Sequence, residues 1–245
     1  MFIRTTILTV AFLLSWPGIS SAQLDEMDFS RSRFGVQASP VISFMYANDN
    51  QINSDGINLG LKLGLMAEYY FAETYAITSG LNMAFNHGGP MIYEVGGAFL
   101  PDSELSDESL REVADGTRIK YNLQYLEIPL GLKMRTEEFG YVRYFAEMPI
   151  FHLNILTRAR GDIDGPEDRS ENENISRDAT FFNLTWGFGG GFEYSLSPNS
   201  SIVTGLYYHQ SFVDITDDSG QKNNGRDENS KGSFGLIQLR VGILF

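Results

Sequence analysis

The gaps between its sheet-forming segments constrain this chain more than any single motif. After residue 33 it reads as eight stretches of alternating polarity. Their seven connections run long, short, long, short, long, short, long. The long ones, near 47–56, 87–118, 158–179 and 214–232, are rich in Asn, Asp and Gly, and the short ones, near 72–74, 136–140 and 197–200, are tight turns. An even number of antiparallel strands, with short turns at one rim and long loops at the other, is the layout of an outer-membrane β-barrel. The sequence therefore predicts an all-β fold, an eight-stranded antiparallel transmembrane β-barrel with short periplasmic turns and long extracellular loops.

The second stretch shows the alternation most clearly. In residues 58–71, Leu59, Leu61, Leu63, Leu65, Ala67, Tyr69 and Phe71 share one face, and Asn58, Gly60, Lys62, Gly64, Met66, Glu68 and Tyr70 share the other. A helix would scatter these positions around its axis, so a period of two sustained this long means a strand. About 9–11 tilted residues cross the bilayer. The remaining stretches repeat the scheme, with Phe34, Val36, Ile42 and Phe44 outward in the first and Ile237, Leu239, Val241, Ile243 and Phe245 outward in the last. Tyr69, Tyr70, Phe71, Tyr75 and Tyr141 gather by the short turns, as an interfacial aromatic girdle would. A soluble sandwich or lipocalin-like barrel is disfavoured, because its interior would have to hold a large apolar residue from every strand position.

Residues 1–22 read as a secretory signal. Arg4 supplies the positive end, residues 7–14 are apolar, Pro17-Gly18 breaks the run, and Ser20-Ser21-Ala22 sets a cleavage site before Gln23. The predicted order is then a signal peptide over 1–22, a short periplasmic segment over 23–32, and the barrel over 33–245. There is no cysteine, which excludes disulfide, thiol and cysteine–metal chemistry.

The net charge of −13 is unevenly placed. The four long connections carry 21 of the 31 acidic residues against 9 of the 18 basic ones. The strands are thus near neutral and one rim is acidic, which disfavours nucleic acid and favours cations or basic partners.

One segment carries a family resemblance. Tyr125-Leu126-Glu127-Ile128-Pro129-Leu130-Gly131-Leu132-Lys133 resembles the central-strand segment of the PorT-like outer-membrane β-barrel family of the Bacteroidetes. Glycine-rich strands, Ala22-Gln23 and a strand ending on Phe245 fit the same layout over 33–245. The resemblance implies eight strands, an outer-membrane location and, for the family's namesake, a role in type IX secretion and gliding. It also implies that the last strand, through Val241, Ile243 and Phe245, is what the barrel-assembly machinery reads. On the residues alone, Pro129 faces inward and lacks an amide donor, so a bulge or bend is expected there.

The inward register gives Lys62, Lys133, Arg135, Arg143 and Arg240 against Glu68, Glu127, Glu147 and Glu193. Enclosed charges of this kind are expected to pair. The network is either a polar plug or a proton or ion path, and the narrow interior of eight strands favours the plug. For catalysis the candidates are His87, His152 and His209. His87 and His152 stand near the loop-side ends of their strands, where a lipid-facing His with a Ser or Glu would suit lipid hydrolysis or acyl transfer. Ser211 shares a face with His209, but no nucleophile-elbow motif accompanies it. Asp162, Asp164 and Asp168 are alternating oxygen donors that fall short of a calcium loop, and no metal or cofactor is expected. Residues 101–115 carry a helix-start pattern, and the polar run 220–231 is expected to be mobile.

The sequence thus predicts a non-enzymatic barrel with a filled lumen, acting through acidic surface loops or as an assembly or secretion component. Its expected partners are outer-membrane lipids, the assembly machinery, and secretion-system or surface proteins. A small-solute channel and a lipid-modifying enzyme are the alternatives.

Overall fold

The computed structural model describes residues 31–166, 168–216, 220–223, 225 and 231–245. The signal peptide and most of the segment 23–32 lie outside the described residues, as does much of 220–231. Eight strands form the wall: β1 Ser32–Ala47, β2 Asn58–Ala72, β3 Tyr75–His87, β4 Thr117–Arg135, β5 Val142–Asp164, β6 Phe182–Ser197, β7 Ser200–Ser211 and β8 Gly232–Leu244. Each pairs antiparallel with its sequence neighbours, and β8 returns to β1, so the sheet closes on itself. At the seam Phe34 and Phe245 exchange backbone hydrogen bonds of 3.0 and 2.8 Å. Closure leaves the wall without an open edge, which a bilayer requires of any sheet that crosses it.

Alternation sorts the wall as the sequence implies. Leu59, Leu61, Leu63 and Leu65 are exposed outside, and Lys62, Met66 and Glu68 are buried inside. The same holds for Phe182, Leu184, Trp186, Phe188, Phe192 and Tyr194 on β6 against Asn183, Thr185 and Glu193. Glycine thins the inner face where the interior is tight. A Cβ on Gly189 would lie 2.2 Å from a ring carbon of Tyr207. Tyr70, grouped above with the girdle, is instead buried, and its hydroxyl donates to Glu68.

Two strands break the period. On β5, Met148 and Pro149 both face outward between buried Glu147 and Ile150, and the pairings on either side slip by one residue. A proline cannot donate to a ladder, and a bulge accommodates it. On β3 the register slips between Ala84 and His87, where Asn86 takes a φ of 57°. Both slips turn a histidine inward. Pro129 also faces inward, but the ladder is regular there, with Pro129 opposite His152; the expected bend falls at flanking positions, Gln124/Tyr125 and Gly131/Lys133.

Among the described residues, the long connections are more ordered than a solvated acidic rim. Strands β4 and β5 run beyond the predicted boundaries, so residues 158–164 are strand rather than loop. Short strands Ile52–Ser54, Pro90–Tyr93 and Arg169–Asn174 extend the wall, and Gly97–Ala98, Glu112–Val113 and Gln221–Lys222 form a separate small sheet. The helix expected over 101–115 is reduced to one 3-10 turn, Glu108–Arg111, capped by Asp107; the strand Glu112–Val113 takes up the residues that follow. Loop residues Ile52, Met91, Tyr93, Phe99, Leu100, Leu110, Ile175 and Ile215 join Met45, Ile119, Leu123, Tyr125 and Phe234 of the wall in one buried cluster. That cluster roofs the barrel at the long-loop rim. Burying each large side chain contributes about 1.5–3 kcal/mol, enough in sum to hold loops that their composition alone would leave loose.

Candidate functional site

The barrel interior is a stack of polar tiers beneath the apolar roof. Nearest the short turns, Lys133 on β4 lies between Glu68 on β2, at 2.5 Å, and Glu193 on β6. Arg33 on β1 joins from the side, 2.7 Å from Glu193. Lys133 Nζ also stands 4.5 Å over the Phe145 ring. Next comes Arg240 on β8, whose Nη1 lies 2.8 Å from Glu147 and donates at 2.7 Å to the Tyr207 hydroxyl. That hydroxyl donates to Glu147 at 2.9 Å, and Thr78 donates to the other carboxylate oxygen at 2.5 Å. Above these, Lys62 and Glu127 pair at 2.6 Å, and Lys62 donates to Gln238 at 3.2 Å.

The tiers bring together seven of the nine charges that the inward register singled out: Lys62, Glu68, Glu127, Lys133, Glu147, Glu193 and Arg240. Two stand apart at the short-turn rim. Arg135 donates to the Glu73 carbonyl and lies 3.8 Å over the Tyr70 ring, while Arg143 pairs with Glu138 and donates to Ser195. Both are near the ends of their strands, where the lumen opens to solvent. Arg33 was missed, although the outward Phe34 and Val36 place it on the inner face.

The three histidines form the uppermost polar tier, all fully enclosed and none facing lipid. His152 and His209 pack edge-on with ring centroids 4.5 Å apart, and His87 Nδ1 lies 3.5 Å from Glu127. His152 Nδ1 contacts Thr185 at 3.2 Å, whereas both ring nitrogens of His209 have no hydrogen-bond partner among the described residues. Ser211 donates to the Val213 carbonyl and accepts from Asn183. A nucleophile needs a base within hydrogen-bonding reach, and His209 does not supply one to Ser211. The lipid-facing histidine expected from the sequence is therefore corrected: the slips at Asn86 and Met148-Pro149 rotate His87 and His152 into the lumen.

The aspartates considered for a metal do not converge. Asp162 accepts from Asn122 and from the Asn172 amide, Asp164 faces Arg169 at 4.0 Å, and the Asp168 carbonyl accepts from Gly165. Among the described residues no group of three or more histidine and carboxylate side chains is placed to hold a metal ion. In the roof, Lys222 donates to Asp49 and to Gln51, tying loop four to loop one. That hydrogen bond holds the Asp49 carboxyl below its ordinary range. At the end of the barrel wall, Val241, Ile243 and Phe245 face outward and are exposed.

The chain is similar to several solved structures, each distant in sequence. Neisserial surface protein A is 15% identical, with 86% of this chain and 95% of that one covered at a TM-score of 0.45. Ail, the attachment invasion locus protein of Yersinia pestis, is 12% identical, with 88% and 99% covered and a TM-score of 0.40. The outer membrane protease OmpT from Escherichia coli is 8% identical, with 87% and 96% covered and a TM-score of 0.39. No curated protein matches the chain. A family profile described as an outer membrane protein beta-barrel domain matches residues 21–150, more than half of the chain. With an eight-stranded wall that closes on itself, this chain belongs to that outer-membrane β-barrel family.

Proposed function

We propose that this protein is a non-conducting, non-enzymatic outer-membrane barrel that works through its folded long-loop cap at the cell surface. The observation that carries this reading is the continuous core from the barrel mouth into all four loops, over a lumen of paired charges. A cap built that way presents one defined surface, which suits recognition better than transport. A channel needs an open path, and here ion pairs and aromatic side chains occupy it. A lipid-modifying enzyme needs a reactive group open to lipid, and the histidines are enclosed.

In this reading the short turns lie in the periplasm and the cap faces outward, after export and cleavage behind Ala22, with insertion by the barrel-assembly machinery. The segment 125–133 supports a PorT-like, Bacteroidetes origin and, through it, a secretion-associated role as one form of cap recognition. Photo-crosslinking from Ser109 and Gln221 in intact cells tests the proposal. Discrete protein adducts from both cap positions, and none from the short-turn position Glu137, are expected. Adducts arising only from short-turn positions such as Glu137 would place the working surface on the opposite side and contradict it.

A further inference from the structure

A cleft of about 260 Å³ opens on the outer wall between β3, β4 and β5, above the apolar belt. Three cations line it, Lys120, Arg158 and Arg160, with the amide side chains of Asn86, Asn122, Gln124 and Asn172; no carboxylate does. On β4, Ile119, Tyr121 and Leu123 turn inward while Lys120, Asn122 and Gln124 turn outward. The same outward row continues towards the short turns as Leu126, Ile128 and Leu130. Arg158 stands opposite Gln124, Arg160 opposite Asn122 and Lys120 opposite Asp162, and the next outward pair towards the short turns is Leu126 with Ile155. The cleft therefore begins where the lipid-facing surface ends.

Its cations have no close carboxylate partner. None of the three forms an ion pair within 4.0 Å among the described residues. Arg160 donates from Nη1 to the Asn172 carbonyl, and its buried Nε has no partner. Asp162, opposite Lys120 in the same outward row as Arg158 and Arg160, flanks the cleft and fixes two lining residues, accepting from the Asn122 side chain and the Asn172 amide. Asn86 and Asn172, with φ of 57° and 63°, are the only non-glycine residues of positive φ among those described, and both line this cleft. Such conformations persist where surrounding structure imposes them, and they concentrate at ligand sites. In a chain of net charge −13, a carboxylate-free cationic cleft is a local exception.

We propose that this cleft binds the phosphate of an anionic lipid headgroup at the outer-leaflet interface. Guanidinium groups match phosphate oxygens bidentately, and the amides suit the hydroxyls of an attached sugar. A free phosphate offers the same oxygens; the adjoining Leu126, Ile128 and Leu130 row favours a phosphate that carries acyl chains. The proposal rests on the long-loop rim facing outward.

The test uses the full folded barrel, reconstituted in phosphatidylcholine vesicles containing diphosphorylated lipid A or its dephosphorylated form. Mild detergent extraction and native mass spectrometry read the retained lipid, and calorimetry with inorganic phosphate reads the free anion. Retention of the phosphorylated form alone is expected, weakened about tenfold or more in R158Q/R160Q and unchanged in R169Q, which alters an exposed loop cation. If the double variant does not fold, K120Q is read in its place. Equal retention of the dephosphorylated lipid, or undiminished retention by the variants, overturns the site. Inorganic phosphate binding as tightly as the lipid overturns the lipid assignment. Failure of the cap crosslinks would leave these outcomes unaffected.

Discussion

Lys62 Nζ lies 2.6 Å from a carboxylate oxygen of Glu127 at the centre of the barrel, where neither side chain is more than 3% exposed. Two charges taken so far from water depend on each other. Removing one leaves the other buried and unpaired, at a cost of about 3–5 kcal/mol, whereas replacing both with apolar residues of similar volume is close to neutral. Lys62→Met alone and Glu127→Leu alone should therefore each lower the urea midpoint of the refolded protein sharply, and the double replacement should recover most of the loss. Additive losses in the double variant would show that the pair is not mutually dependent.

The bulge at Met148-Pro149 makes a separate prediction. Both residues face outward, so deleting Pro149 restores a plain alternation and keeps Ile150, His152 and Asn154 inside. Deleting Phe151 instead puts His152 and Asn154 into lipid and Leu153 into the lumen, inverting the face as any one-residue slip does. The first deletion should retain the heat-modifiable folded band, and the second should lose it. Equal behaviour of the two would refute the assigned register.

Most of the wall was legible because its strands keep strict period two, from the Leu59–Leu65 row to the Ile237–Phe245 row. The charged tiers followed from that period, as Lys62, Lys133 and Glu193 illustrate. What alternation could not reveal was a change of phase. Asn86 and Pro149 each shift a strand by one residue, and the histidines beyond them move from the apparent lipid face into the lumen. The roof was hidden for another reason. Met91-Ile92-Tyr93, Ala98-Phe99-Leu100 and Leu110 stand in apolar runs of one to three residues, too short for a period to mark them, and contacts distant in sequence gather them into a core.

Close packing inside the wall predicts a cost at Gly189. A methyl group there would press on the Tyr207 ring, which Arg240 covers at 3.9 Å and whose hydroxyl bridges Arg240 and Glu147. Gly189→Ala should destabilise the barrel by about 1–3 kcal/mol, the usual cost of overpacking, read from its unfolding midpoint in detergent. A stability equal to that of the parent would mean that Tyr207 is free to move.

The roof has its own pH dependence. The Asp49 carboxyl is held below its ordinary range by the Lys222 hydrogen bond. A carboxylate depressed on folding stabilises above its unfolded pKa, about 3.9, and that contribution is lost as pH falls through the lower folded value. Amide hydrogen exchange at Gln221 and Lys222 should stay slow from neutral pH down to about 4, once corrected for intrinsic rates, and accelerate only below it. Asp49→Asn should accelerate it already at neutral pH. Release of the segment near pH 6 in the parent would assign the tie to some other group.

Paired charges below and an apolar roof above fill the lumen. Planar-bilayer recording of the purified, refolded protein measures this most directly. The structure predicts no steady conductance across a wide range of voltages and salt concentrations, because Lys62–Glu127, Lys133–Glu193 and Arg240–Glu147 occupy the path. A stable channel of nanosiemens size, present in every active preparation and abolished with the protein, would contradict it.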